Sequence, residues 1–155
     1  SNWVRDENLR APDAVAALSP ATDSTFESPS LRENFETDLM LQSLMGTYLK
    51  VPRTALLWAY WYINKVLPTS PLISPIRGNL SNLPPTLVQV SRQEMLYDDA
   101  KRYVAKAQSQ GTPARLQSWS HVAHVFQAFE TLLPEAKDGL DEIAKFFAEY
   151  GVKAH

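Results

Sequence analysis

The chain has 155 residues, 45% of them hydrophobic and 21% charged, with no cysteine and a formal net charge of −2. That length suits one domain burying roughly 70% of its unfolded surface. The absence of cysteine excludes disulfides, thiolate chemistry and cysteine metal sites, and the scattered basic residues lack the footprint of a nucleic-acid binder.

Residues 1–12 (S-N-W-V-R-D-E-N-L-R-A-P) are too polar for a signal peptide, and the most apolar run, Ala55 to Ile63, is well short of the ~20 residues that span a bilayer. A soluble, cytoplasmic protein without a membrane span is expected. Asp13 to Leu18, between Pro12 and the Ser19-Pro20 turn signal, is evenly apolar and predicts an interior strand. Pro29, with Ser28 and Ser30 around it, marks a turn. Leu31 to Lys50 then carries Leu41, Leu44, Met45 and Tyr48 on one face, which predicts one or two short helices. Thr54 to Leu67 is apolar nearly all round and holds Trp58, Tyr60, Trp61 and Tyr62, so cover from elsewhere is expected. Pro68, Pro71 and Pro75 forbid a helix before Pro84-Pro85 delivers the chain to a second strand, Thr86 to Ser91.

Leu96, Ala100, Tyr103, Val104 and Ala107 recur at helical spacing, with Asp98 and Asp99 in the first turn and Gly111 as the stop. Ala114 to Trp119 reads as a third strand, at a sheet edge. Val122 to Leu133 is expected to be helical, and Pro134 opens a last helix with Ala136, Leu140, Ile143, Phe147 and Tyr150 as its apolar stripe. The pattern is α/β: a mostly parallel sheet flanked by helices, in a single partial domain over residues 1–155 with a helical insertion at about 24–70.

Glu94 follows the second strand and His124 the third, with a helix between. A strand-helix-strand unit makes the pair parallel, so both side chains emerge at one carboxyl edge, where open α/β sheets carry their sites. A carboxylate and a His at that edge occupy the places of the last two members of a nucleophile-base-acid triad. Asp98 is the fallback acid, and His121 reads as a solvated or helix-start residue.

Ser19-Pro20 with Asp23, Leu72-Ile73-Ser74-Pro75, Leu80, Leu83 to Val90, Glu94-x-Leu96-x-Asp98-Asp99-Ala100, Trp119, and His124-Val125-Phe126-Gln127 together resemble the carboxyl-terminal half of a hormone-sensitive-lipase-family esterase. The resemblance covers essentially the whole chain. It implies an α/β-hydrolase fold, His124 as triad base and Glu94 as its carboxylate partner, with no metal or organic cofactor. Many relatives have Asp where this chain has Glu94, and Gly where it has Val125. By the same resemblance, Trp58, Tyr62 and Val125 are candidate substrate contacts, although an aromatic stripe at helical spacing also suits plain packing.

The family's His-Gly-Gly-Gly oxyanion loop and Gly-x-Ser-x-Gly nucleophile elbow do not occur, and the five glycines, Gly46, Gly78, Gly111, Gly139 and Gly151, are all isolated. Acyl transfer needs both features, so a fragment is expected, inactive alone, whose nucleophile lies upstream. Its expected partners are a small ester substrate, the missing amino-terminal half, and a second copy through the edge strand at 114–119. The alternatives are an inactive truncated half acting as an interaction module, or an enzyme using the acid and base without a Ser. Should a serine of this chain be the nucleophile, Ser19 and Ser91, at strand ends, are the ones placed for it.

Overall fold

The computed structural model describes residues 2–152. Its frame is a three-stranded parallel sheet in the order β1 (Val15–Leu18), β2 (Thr86–Ser91), β3 (Ala114–Trp119). Val15 pairs with Thr86, and Thr86 with Ala114, so the carboxyl ends of all three strands lie along one edge. β2 is buried at every position, as expected of an apolar run in the middle of a parallel sheet. Alternation along it divides the core. Val88 and Val90 pack with Leu80, Leu83, Ala100, Val104 and Ala107, beneath the helix Tyr97–Ser109. The other face meets the helix Pro134–Glu149, where Gln89 Nε2 donates to Gly139 O at 2.8 Å. Gln89 is fully buried without strain, because its amide oxygen also accepts from Gln127 Nε2 at 2.8 Å.

In chain order the helices are α1 (Asn2–Asp6), α2 (Ser30–Glu33), α3 (Leu39–Met45), α4 (Arg53–Asn64), α5 (Tyr97–Ser109) and α6 (Pro134–Glu149). No sequence pattern pointed to α1. It is held by Arg5, whose guanidinium donates to Asn79 O at 2.7 Å and Ser81 O at 2.8 Å.

Two expectations need correction, and a third is met only in part. Residues 122–133 are not a helix: His121 and Val125 take left-handed backbone conformations, and only the 3-10 turn Phe126–Phe129 forms between Val125 and α6. On α6 the buried positions are Ala136, Gly139 and Phe146, with Leu140 and Phe147 half-buried, and the small Gly139 admits the Gln89 amide oxygen, the Phe126 ring and the Gln127 side-chain stem. α4 is covered only in part among the described residues: Leu56 is buried and Tyr60 packs edge-on against Phe26, while Trp58 is 69% and Tyr62 68% exposed, leaving that side open to a partner.

The segment between β1 and β2 is fastened to α5 by buried polar groups. The Asp99 carboxylate accepts from Thr22 N at 2.7 Å and Asp23 N at 2.9 Å, and also from the Ser28 hydroxyl. Asp38 caps α3 through Leu41 N at 3.0 Å while its second oxygen accepts from Met95 N at 2.9 Å. Asp38 thereby ties α3 to the loop that carries Glu94.

Candidate active site

Where β2 ends, the chain turns tightly through Arg92 and Gln93, and the Glu94 side chain folds back on the strand terminus: its Oε1 accepts from Ser91 N at 2.6 Å. The same oxygen accepts from Ser19 Oγ, just past β1, at 2.7 Å. With Oε1 held twice, Oε2 faces the loop after β3 and lies 2.8 Å from His124 Nδ1. Glu94 is 1% exposed, and three hydrogen bonds take the place of the water it has lost.

His124 sits between two left-handed residues, His121 and Val125. These turn the loop back so that Phe126 is fully buried against Trp119, with ring centroids 5.1 Å apart. The loop is therefore anchored within two residues of the imidazole. The hydrogen bond that His124 donates to Glu94 raises the His124 pKa above its ordinary value, with partial burial opposing it and the Glu94 and Asp38 charges adding to it. A carboxylate on Nδ1 fixes the tautomer and leaves Nε2 as the nitrogen free to accept a proton.

The other candidates lie elsewhere. Asp98 accepts from Ser30 N at 3.0 Å and from Lys101 at 3.3 Å, at the start of α5, with no bond to His124. His121 is exposed, with its Nδ1 3.3 Å from Gln93 Nε2, and it lines the cleft beside His124 without bonding to Glu94. Beside His124 is a cleft of about 210 Å³, lined by Asp38, Leu39, Met40, Gln93, Glu94 and His124 among others. Trp58 and Tyr62 do not line it. Trp58 instead borders an apolar hollow of about 370 Å³ with Leu57, Trp61, Leu67 and Pro68, and Tyr62 lies beneath Lys65 Nζ at 4.1 Å. Val125 does adjoin the imidazole, but its N–H is directed to Ser19 Oγ at 3.2 Å. Neither Ser19 nor Ser91 is poised as a nucleophile: the Ser19 hydroxyl is committed to Glu94, and Ser91 Oγ accepts from Gln93 N at 3.2 Å. The bond from Ser19 to the acid is the feature that sequence reasoning missed. Its traces were a serine closing an apolar run and the Ser19-Pro20 pair, neither of which names Glu94 as a partner.

The family described as having an alpha/beta hydrolase fold matches residues 1–128. An esterase of Acinetobacter venetianus is 33% identical over 135 residues, covering 87% of this chain and 42% of its own length. An acetyl-hydrolase of Streptomyces hygroscopicus is 30% identical, over 92% of this chain and 45% of its own. Among solved structures, an esterase from the bacterial hormone-sensitive lipase family superposes with a TM-score of 0.81 at 30% identity, covering 97% of this chain and 48% of that one. The chain thus spans less than half the length of the relatives it matches.

Proposed function

Since this chain belongs to the alpha/beta hydrolase fold family, among the hormone-sensitive-lipase esterases, we propose that it supplies the base and the acid of a serine carboxylesterase acting on short- to medium-chain acyl esters. The nucleophile and oxyanion loop come from a segment corresponding to the amino-terminal half of its relatives. The observation that carries this reading is the 2.8 Å contact between His124 Nδ1 and a buried carboxylate, at the carboxyl edge of a parallel sheet.

In this mechanism the serine hydroxyl attacks the ester carbonyl as His124 Nε2 takes its proton. The imidazolium, stabilised by Glu94, then protonates the departing alkoxide as the alcohol leaves. Water, deprotonated by the same nitrogen, hydrolyses the acyl-enzyme and restores the serine. Glu94 holds Nδ1–H throughout and keeps its negative charge. The residues at about 24–70, with α2 to α4, form the insertion of a single partial domain over 1–155. The cleft at Leu39 and Met40 receives part of the substrate. The open edge of β3 pairs with a second copy, which a sedimentation measurement showing only monomer would refute.

The test is complementation. The chain is mixed with an amino-terminal half carrying the Ser elbow, taken from the Acinetobacter relative, and assayed with p-nitrophenyl butyrate. Turnover in the mixture, silence of the chain alone, and loss of turnover with His124→Ala are expected. Turnover that survives His124→Ala would overturn the assignment of the base.

A further inference from the structure

We infer that Ser19 is a positioning residue of the acid-base pair, with its hydroxyl fixing which way the Glu94 carboxylate and the His124 loop face each other. Ser19 continues β1 by one residue, its N–H donating to Gln89 O at 2.8 Å, and its backbone is left-handed at φ 44°. That turn directs the side chain along the carboxyl edge. There Oγ donates to Glu94 Oε1 at 2.7 Å and accepts from Val125 N at 3.2 Å. One buried hydroxyl therefore joins the ends of all three strands: β1 through its own backbone, β2 through Glu94, and β3 through the residue that follows His124.

The chemistry explains why this matters. A terminal carboxylate torsion is broad and roughly two-fold, so one contact leaves the group free to rock. Two donors converging on Oε1, Ser91 N and Ser19 Oγ, remove that freedom and leave Oε2 aimed at Nδ1. The acceptor side of the same hydroxyl holds the Val125 N–H, so the imidazole cannot withdraw without breaking the bridge. The arrangement also argues against Ser19 as nucleophile, since its proton is given to the acid and not to the base's free nitrogen.

This inference rests on the proposed function for its catalytic meaning, but its test does not depend on turnover. In the purified chain, His124 is titrated by NMR of labelled imidazole, the signal being assigned with His124→Asn, and exchange of the Val125 amide proton is followed. Ser19→Gly removes the hydroxyl while suiting the left-handed backbone, so folding is protected. Ser19→Ala removes it with a methyl group retained. Both variants should lower the His124 titration midpoint toward that of an ordinary imidazole and speed exchange at Val125, with circular dichroism unchanged. In the complemented enzyme, kcat should fall about tenfold with KM unchanged, the pattern of an interaction used in the transition state. A His124 midpoint that stays put or rises in a folded Ser19→Gly chain would overturn the inference, since a donor that merely stabilised the carboxylate would give that result. If the wild-type mixture shows no esterase activity, the proposed function falls, and the titration still decides the role of Ser19.

Discussion

Replacing Glu94 with Gln separates charge from shape at the acid. The carboxylate receives bonds from Ser91 N at 2.6 Å, Ser19 Oγ at 2.7 Å and His124 Nδ1 at 2.8 Å. In Glu94→Gln the amide oxygen must take the position facing Ser91 and Ser19, because an NH2 group there would oppose two donors. The NH2 group then faces Nδ1, which can only accept, and the ring proton moves to Nε2, the nitrogen proposed as the base. A wrong tautomer of this kind costs about 10⁴-fold in kcat, or about 5.4 kcal/mol at 1.36 kcal/mol per decade. Stability should change far less. Two charge-assisted bonds become neutral ones, at a loss of about 1 kcal/mol each, offset in part because a carboxylate no longer has to be buried. The variant therefore folds. Hydrolysis of p-nitrophenyl butyrate by the complemented enzyme measures the first quantity, urea denaturation of the chain the second, and imidazole nitrogen shifts the tautomer. A kcat within tenfold of wild type, or Nδ1 still protonated, would refute the reasoning.

Because His124 is raised above its ordinary value, chiefly by its bond to Glu94, its contribution to stability is fully present below about pH 6.5, the unfolded value, and is lost as pH rises through the folded pKa. Denaturation of wild type and His124→Gln across that window should show the difference shrinking with pH, while kcat/KM of the complemented enzyme rises as the imidazole becomes neutral. Asp99→Ala strands the Thr22 and Asp23 N–H groups and should cost about 2–5 kcal/mol in urea denaturation. Asp99→Asn should cost less than about 1 kcal/mol, since both donors share one oxygen, which an amide supplies, and burial already raises the pKa of the acid. Val125 is β-branched at φ 50°, so Val125→Gly should raise the denaturation midpoint by the equivalent of about 0.5–1 kcal/mol, the relief of Cβ strain less the added unfolded-state entropy.

The strands were legible because each is a short apolar run between turn signals, and β2 is the clearest because it is buried on both faces. That Glu94 and His124 meet was legible from their places after β2 and β3 and from the family resemblance around them. What the sequence did not display depends on contacts between distant segments. α1 is polar and stands on two carbonyls more than seventy residues away. The run from Val122 to Leu133 has helical composition, yet the fold requires left-handed turns at His121 and Val125 so that Phe126 can be buried. The Ser19 hydroxyl has no local partner, so no window of sequence could assign it.

Every anchor of the acid-base pair described above belongs to three adjoining strand ends and the loops leaving them. Its geometry therefore travels as a cassette. In a chimaera that exchanges everything ahead of Val15 for the corresponding part of another relative, the imidazole and carboxylate should keep their mutual placement, while selectivity follows the graft and the surfaces it brings against Leu39, Met40 and the uncovered side of α4. On the proposed reading, ester preference can then change by recombination at the β1 boundary while the pairing of Glu94 with His124 is kept.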